Sequence, residues 1–140
     1  MFLLDTNVVS ELRKVKAGKA DKNVAQWSKT VDANDLFISV ITLQEIELGI
    51  LLMEKKDATQ GALLREWFTN RVIPTFAERT LVVDAAVAKK CAEINAESIR
   101  PYRDGFIAAT ALVHRMTLVT RDVGDFVGTG VALVNPWKTL

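Results

Sequence analysis

Four carboxylates stand where this sequence could do chemistry. Asp5 follows the apolar run Phe2-Leu3-Leu4, and Asp122 follows the run Leu118-Val119-Thr120 after one residue. Glu45 comes three residues after Thr42, and Asp104 opens the smooth apolar stretch 105–111. Each has an ordinary reading when taken alone. Asp5 and Asp104 suit helix N-caps, Thr42 and Glu45 have capping-box spacing, and Asp122 suits a turn. Taken together they point elsewhere. Like charges about 4 Å apart repel by roughly 4 kcal/mol at an effective dielectric near 20. Four converging carboxylates therefore need protons or cations among them. Hard, oxygen-preferring ions, Mg²⁺ or Mn²⁺, meet that need. A pair of such ions suits phosphodiester hydrolysis: one acidifies the attacking water and the other steadies the leaving oxygen.

Competing chemistries lack parts. His114 is the one histidine and Cys91 the one cysteine. No Cys/His zinc site, Ser-His-Asp set or Cys-His set can be assembled from them. His114 reads as a boundary residue, and Cys91 as core on an apolar helix face. A phosphoacceptor, receiver-like domain would need a strand-end aspartate with a lysine close by. Asp84 is the mid-chain aspartate available, but Arg121, not lysine, follows the strand ending at Thr120.

Convergence must come from the elements that carry these acids. The apolar runs 2–4, 36–40, 80–83, 118–120 and 131–134 read as strands. Between them, helices are expected at 8–14, 21–31, from Thr42 onward, at about 58–71 (stopping before Pro74), after Asp84, and at 104–114. Short apolar strands alternating with helices indicate an α/β fold with a parallel sheet covered on both faces. In such sheets the ligand sits outside the carboxyl ends of the strands. Asp5 and Asp122 fall on that edge, and the helices bearing Glu45 and Asp104 begin there.

The whole chain sets looser bounds. Its 140 residues suit a single domain, 1–140, and 49% hydrophobic with 25% charged residues is ordinary for a globular protein. One cysteine permits no intrachain disulfide. The start does not read as a signal peptide, and no apolar stretch is long enough for a membrane span. A net charge of +1 neither predicts nor excludes a nucleic-acid partner. Arg13, Lys14, Lys16, Lys19 and Lys22 could hold phosphates beside the pocket, or form a plain solvated loop. Trp67, Phe68 and Phe76 could line a partner groove or simply pack the core. Trp137 is expected to pack down the tail.

Four segments carry a family resemblance: FLLDTNVVSEL at 2–12, ISVITLQEIELGI at 38–50, RDGFIAATAL at 103–112 and LVTRDVGDFVGTGVALVNPW at 118–137. In this order and spacing the chain resembles the PIN-domain ribonucleases, and among them the toxins of VapBC-type toxin–antitoxin modules, including the FitB-like branch. The resemblance implies a three-layer α/β/α PIN fold with a mainly parallel central sheet. It implies a catalytic and metal-binding set of Asp5, Glu45, Asp104 and Asp122. Thr6, Asn7 and Thr120 would orient those carboxylates, with Asp125 in a supporting role. It further implies an Mg²⁺- or Mn²⁺-dependent endoribonuclease in the bacterial cytoplasm. That enzyme would cut structured RNA such as tRNA or rRNA and so arrest translation and growth. A homodimer is implied, as is a cognate VapB-type antitoxin whose C-terminal segment covers the pocket. Operator DNA would be reached only through the antitoxin complex. Two rivals stay open: a PIN domain serving RNA maturation or scaffolding, and a DNA-directed nuclease using the same acids.

Overall fold

The computed structural model describes residues 1–138. Its strands are Phe2–Leu4 (β1), Leu36–Ser39 (β2), Thr80–Leu81 (β3), Thr117–Val119 (β4) and Leu133–Val134 (β5). They join in one sheet in the order β3-β2-β1-β4-β5, and every pairing is parallel. The helices are Thr6–Leu12 (α1), Lys22–Ser28 (α2), Val40–Lys56 (α3), Ala58–Trp67 (α4), Ile73–Thr75 (α5), Ala85–Glu97 (α6) and Tyr102–Val113 (α7).

Side-chain alternation along the central strands divides the core into two layers. Leu3 and Leu118 face one side and pack with Val87, Cys91, Ile94, Ile107 and Ala108 of α6 and α7. Leu4 and Val119 face the other and pack with Val8 and Val9 of α1, Ile46 and Ile50 of α3, and Phe68. Both faces are therefore covered, which is why these strands read as continuous apolar runs. Each fully buried Leu or Val contributes roughly 1.5–3 kcal/mol. Cys91 is 2% exposed and belongs to this core, as expected. No described helix is long and apolar enough to cross a membrane.

Several boundaries differ from the sequence reading. α1 begins at Thr6, not Val8, because Asp5 itself is the N-cap and accepts from Thr6 N. α2 spans Lys22–Ser28, shorter than 21–31, with Asp21 as its cap. α3 begins at Val40, not Thr42: Ser39 ends β2 and also caps α3, its hydroxyl accepting from Ile41 N. α7 begins at Tyr102 behind Pro101, two residues before Asp104. The column expected to stop before Pro74 runs on through a wider i→i+5 turn at Phe68–Val72 into α5. Proline is tolerated there because the first turn of a helix has no intrahelical use for its N–H. β3 and β5 are two residues each, shorter than 80–83 and 131–134; both are edge strands with one neighbour. β4 ends at Val119, so Thr120 lies just beyond it.

Candidate active site

The strand order fixes where a crevice opens. From β1 the chain crosses to β2 and β3 on one side, then returns to place β4 on the other side of β1. The carboxyl ends of β1 and β4 therefore flank a switch point, where open α/β sheets bind ligands. Asp5 N donates to Val119 O at 2.9 Å and ties these two ends together.

Asp5 is half-buried at this crevice. Thr6 N and Thr120 Oγ1 donate to its two oxygens, each at 2.8 Å. Glu45 lies in the second turn of α3. Its Oε1 accepts from Thr6 Oγ1 at 2.8 Å, and its Oε2 lies 3.0 Å from the Arg103 guanidinium. Asp122 is exposed; Asn7 Nδ2 donates to its Oδ2 at 3.1 Å. The Asp122 backbone N–H donates to Thr120 Oγ1 at 3.0 Å, so one hydroxyl serves two acids. Asp104 sits in the first turn of α7, where the helix dipole favours an acid.

Three of the acids titrate above the ordinary carboxylate range. For Asp5 burial is the main cause, and the Asp122 charge adds to it against the opposing hydrogen bonds. Burial also leads for Glu45, with Asp5 and Asp104 adding repulsion. For Asp104 burial leads again, and Asp125, Asp5 and Asp122 add to it. Mutual repulsion thus joins Asp5, Glu45, Asp104, Asp122 and Asp125 into one electrostatic group. The capping readings of Glu45 and Asp104 both fail. Glu45 lies beyond the first turn, and no side chain caps α7.

A PIN-domain family model matches residues 2–127. This chain belongs to the PIN-domain family. The PIN chain is similar to the toxin FitB of Neisseria gonorrhoeae, with 36% identity over 142 residues, 98% of this chain and 99% of that one. It is also similar to the VapC ribonuclease Y4jK of Sinorhizobium fredii, with 31% identity over 143 residues and 99% of both chains. Among solved structures, FitAB bound to an IR36 DNA fragment superposes with a TM-score of 0.88 and 35% identity, covering 100% of this chain and 98% of that one.

Other residues of the PIN chain fall outside the crevice or were missed. α1 rises about 1.5 Å per residue back from the acidic edge, so it carries the basic loop toward the sheet's other end. There Arg13 stacks over Trp67 at 5.7 Å, Lys14 pairs with Glu11, and Arg13 and Lys16 line an apolar groove with Leu36 and Val72. Arg13, Lys14 and Lys16 thus have their partners away from the acids. Phe68 is core, while half-buried Trp67 and the largely buried Phe76 line that groove. Trp137 packs on the second core layer under Arg121, and His114 ends α7 half-buried. The sequence reading missed Thr42, whose fully buried hydroxyl lies 3.3 Å from Thr6 Oγ1. It also missed Arg103, for which the only signal was its place beside Asp104.

The donor set is all oxygen, which suits a hard divalent ion rather than a soft one. Even so, among the described residues no three acidic, histidine or cysteine side chains already form a closed ligand group. Glu45 has both oxygens engaged by Thr6 and Arg103, and Asp5 both of its own by Thr6 and Thr120. The residues fit the chemistry of the ion, and each carboxylate oxygen keeps a lone pair beyond its present partner.

Proposed function

We infer that the chain is the toxin of a type II toxin–antitoxin module, an endoribonuclease that depends on Mg²⁺ or Mn²⁺. The observation that carries this reading is the mutually charged group of Asp5, Glu45, Asp104 and Asp122 at the switch point of a PIN fold. The full-length likeness to a toxin and to a VapC ribonuclease supports it. Asp5, Glu45, Asp104 and Asp122 would hold the ions, with Asp125 supporting through Asp104. Bound ions supply an acidified water and charge neutralisation at the phosphate. The chain's own contribution is orientation. Thr6 fixes Asp5 and Glu45, Thr120 fixes Asp5 and the backbone of Asp122, and Asn7 fixes the Asp122 carboxylate. Such outer hydrogen bonds set carboxylate direction and are worth about 10–100-fold in affinity or activity.

The substrate class is structured RNA, tRNA or rRNA, whose cleavage stops translation and growth in the bacterial cytoplasm. The active unit is a homodimer. A cognate VapB-type antitoxin neutralises it, and operator DNA is reached through that complex, in line with the FitAB–DNA likeness. Purified protein freed of antitoxin should cut RNA with Mg²⁺ or Mn²⁺ and stop with EDTA. Asp5→Asn or Asp104→Asn should abolish cleavage and growth arrest while leaving the fold intact. Unchanged toxicity in either variant would overturn the assignment, and cleavage of DNA in place of RNA would reassign the substrate.

A further inference from the structure

Arg103 stands among the acids of the crevice, beside Asp104 in sequence and paired with Glu45 in space. The guanidinium lies 3.0 Å from Glu45 Oε2, yet 59% of its side chain is exposed. Arg103 is anchored in the first turn of α7, next to Asp104, while Glu45 belongs to α3. The pair therefore bridges two elements that each contribute an acid. With Thr6 on the other oxygen, both oxygens of Glu45 have a partner, and an ion approaching Oε2 meets the guanidinium's charge. The pair is open to solvent on the Arg103 side, where screening keeps an ion pair weak, while Glu45 is half-buried.

We propose that Arg103 is a tethered counter-cation that occupies Glu45 until a divalent ion displaces it, so that the chain sets its own cation affinity. The inference rests on the divalent-ion reading above. A doubly charged ion would compete with the guanidinium for the clustered carboxylates, and Arg103, exposed on its outer side, would be free to turn toward solvent. The competition lowers affinity in proportion to the charge of the side chain at position 103.

Binding of Mn²⁺ tests this directly, read as loss of the free-ion paramagnetic resonance signal on titration with full-length protein. Wild type, Arg103→Gln, Arg103→Lys and Asp5→Asn are compared, with circular dichroism as the check on folding. Arg103→Gln should bind on the order of three- to tenfold more tightly than wild type, the scale of losing one exposed charge pair. Arg103→Lys should stay near wild type, and Asp5→Asn should bind more weakly, placing the ion at this crevice. Binding by Arg103→Gln at the wild-type constant, or weaker, would overturn the competition while leaving the ion reading standing. Equal tightening in the Gln and Lys variants would also overturn it, because packing and not charge would then be the cause. Absence of Mn²⁺ binding in all four proteins would overturn an ion site on the free chain and, with it, the competition by Arg103.

Discussion

At the scale of single residues, Thr120 carries more of the site than its size suggests. Its buried hydroxyl donates to Asp5 Oδ2 and accepts from Asp122 N. Thr120→Val keeps the shape and strands both partners, a loss of about 1–3 kcal/mol where a buried group goes unsatisfied. RNA cleavage at saturating Mn²⁺ should fall about 10–100-fold, while Thr120→Ser should stay near wild type; equal rates for Val and wild type would remove Thr120 from the site. Asp5 adds a pH signature. Its folded pKa is raised, so the protonated form is the stabilising one. That stability is fully present below the ordinary carboxylate value and is lost as pH rises through the raised one. Ion-free Asp5→Asn should therefore melt a few degrees above wild type at neutral pH, and the gap should close in acid. A melting curve that favours wild type at neutral pH would show that the hydrogen bonds to Asp5 outweigh its burial. Thr6, Asn7 and Thr120 were legible through the family segments, and each does hold an acid. Arg103 was not legible: spacing alone does not say that a side chain on α7 reaches back to α3.

At the scale of elements, the sequence reading erred where a helix start had to be assigned to a residue. Thr42 and Glu45 have capping spacing, but Ser39 is the better-placed cap because β2 passes into α3 with no loop between them. Pro101 likewise starts α7 early, which moves Asp104 into the first turn. Propensity and spacing cannot choose between helix starts three residues apart; the segment that precedes the helix does. The position of Asp104 also depends on how closely α6 and α7 approach. A Cβ at Gly105 would stand 2.8 Å from Cys91 Sγ, closer than real contacts allow. Gly105→Ala should cost about 1–3 kcal/mol by overpacking and, by shifting the first turn of α7, lower cleavage as well. Removing the sulfur in the pair Cys91→Ala/Gly105→Ala should restore much of both. Chemical denaturation and cleavage rates across this double-mutant cycle measure the coupling. Simple additivity of the two changes would show that the helices yield elsewhere.

At the scale of the molecule, the site exists only in the assembled sheet. The Thr120–Asp5 and Asn7–Asp122 bonds each span 115 residues, and Thr6–Glu45 spans 39. The rule that ligands sit at strand carboxyl ends made Asp5 and Asp122 legible before any coordinates. The order β3-β2-β1-β4-β5 was not legible, because apolar patterning marks strands and not the direction of their crossovers. Yet that order is what sets Asp5 beside Asp122, by returning β4 to the open side of β1. An ion held between these distant segments would bind the folded chain and find no comparable site in the unfolded one. Its binding energy would add to folding stability, by roughly 2.7 kcal/mol at a free concentration 100 times the dissociation constant. It would also relieve the repulsion and burial cost that raise the pKa values of Asp5, Glu45 and Asp104. Thermal unfolding should accordingly shift upward with Mn²⁺ in a concentration-dependent way and return with EDTA, and Asp104→Asn should blunt the shift. A melting temperature that stays fixed at ion concentrations supporting cleavage would mean that the ion arrives with the RNA and not on the free chain.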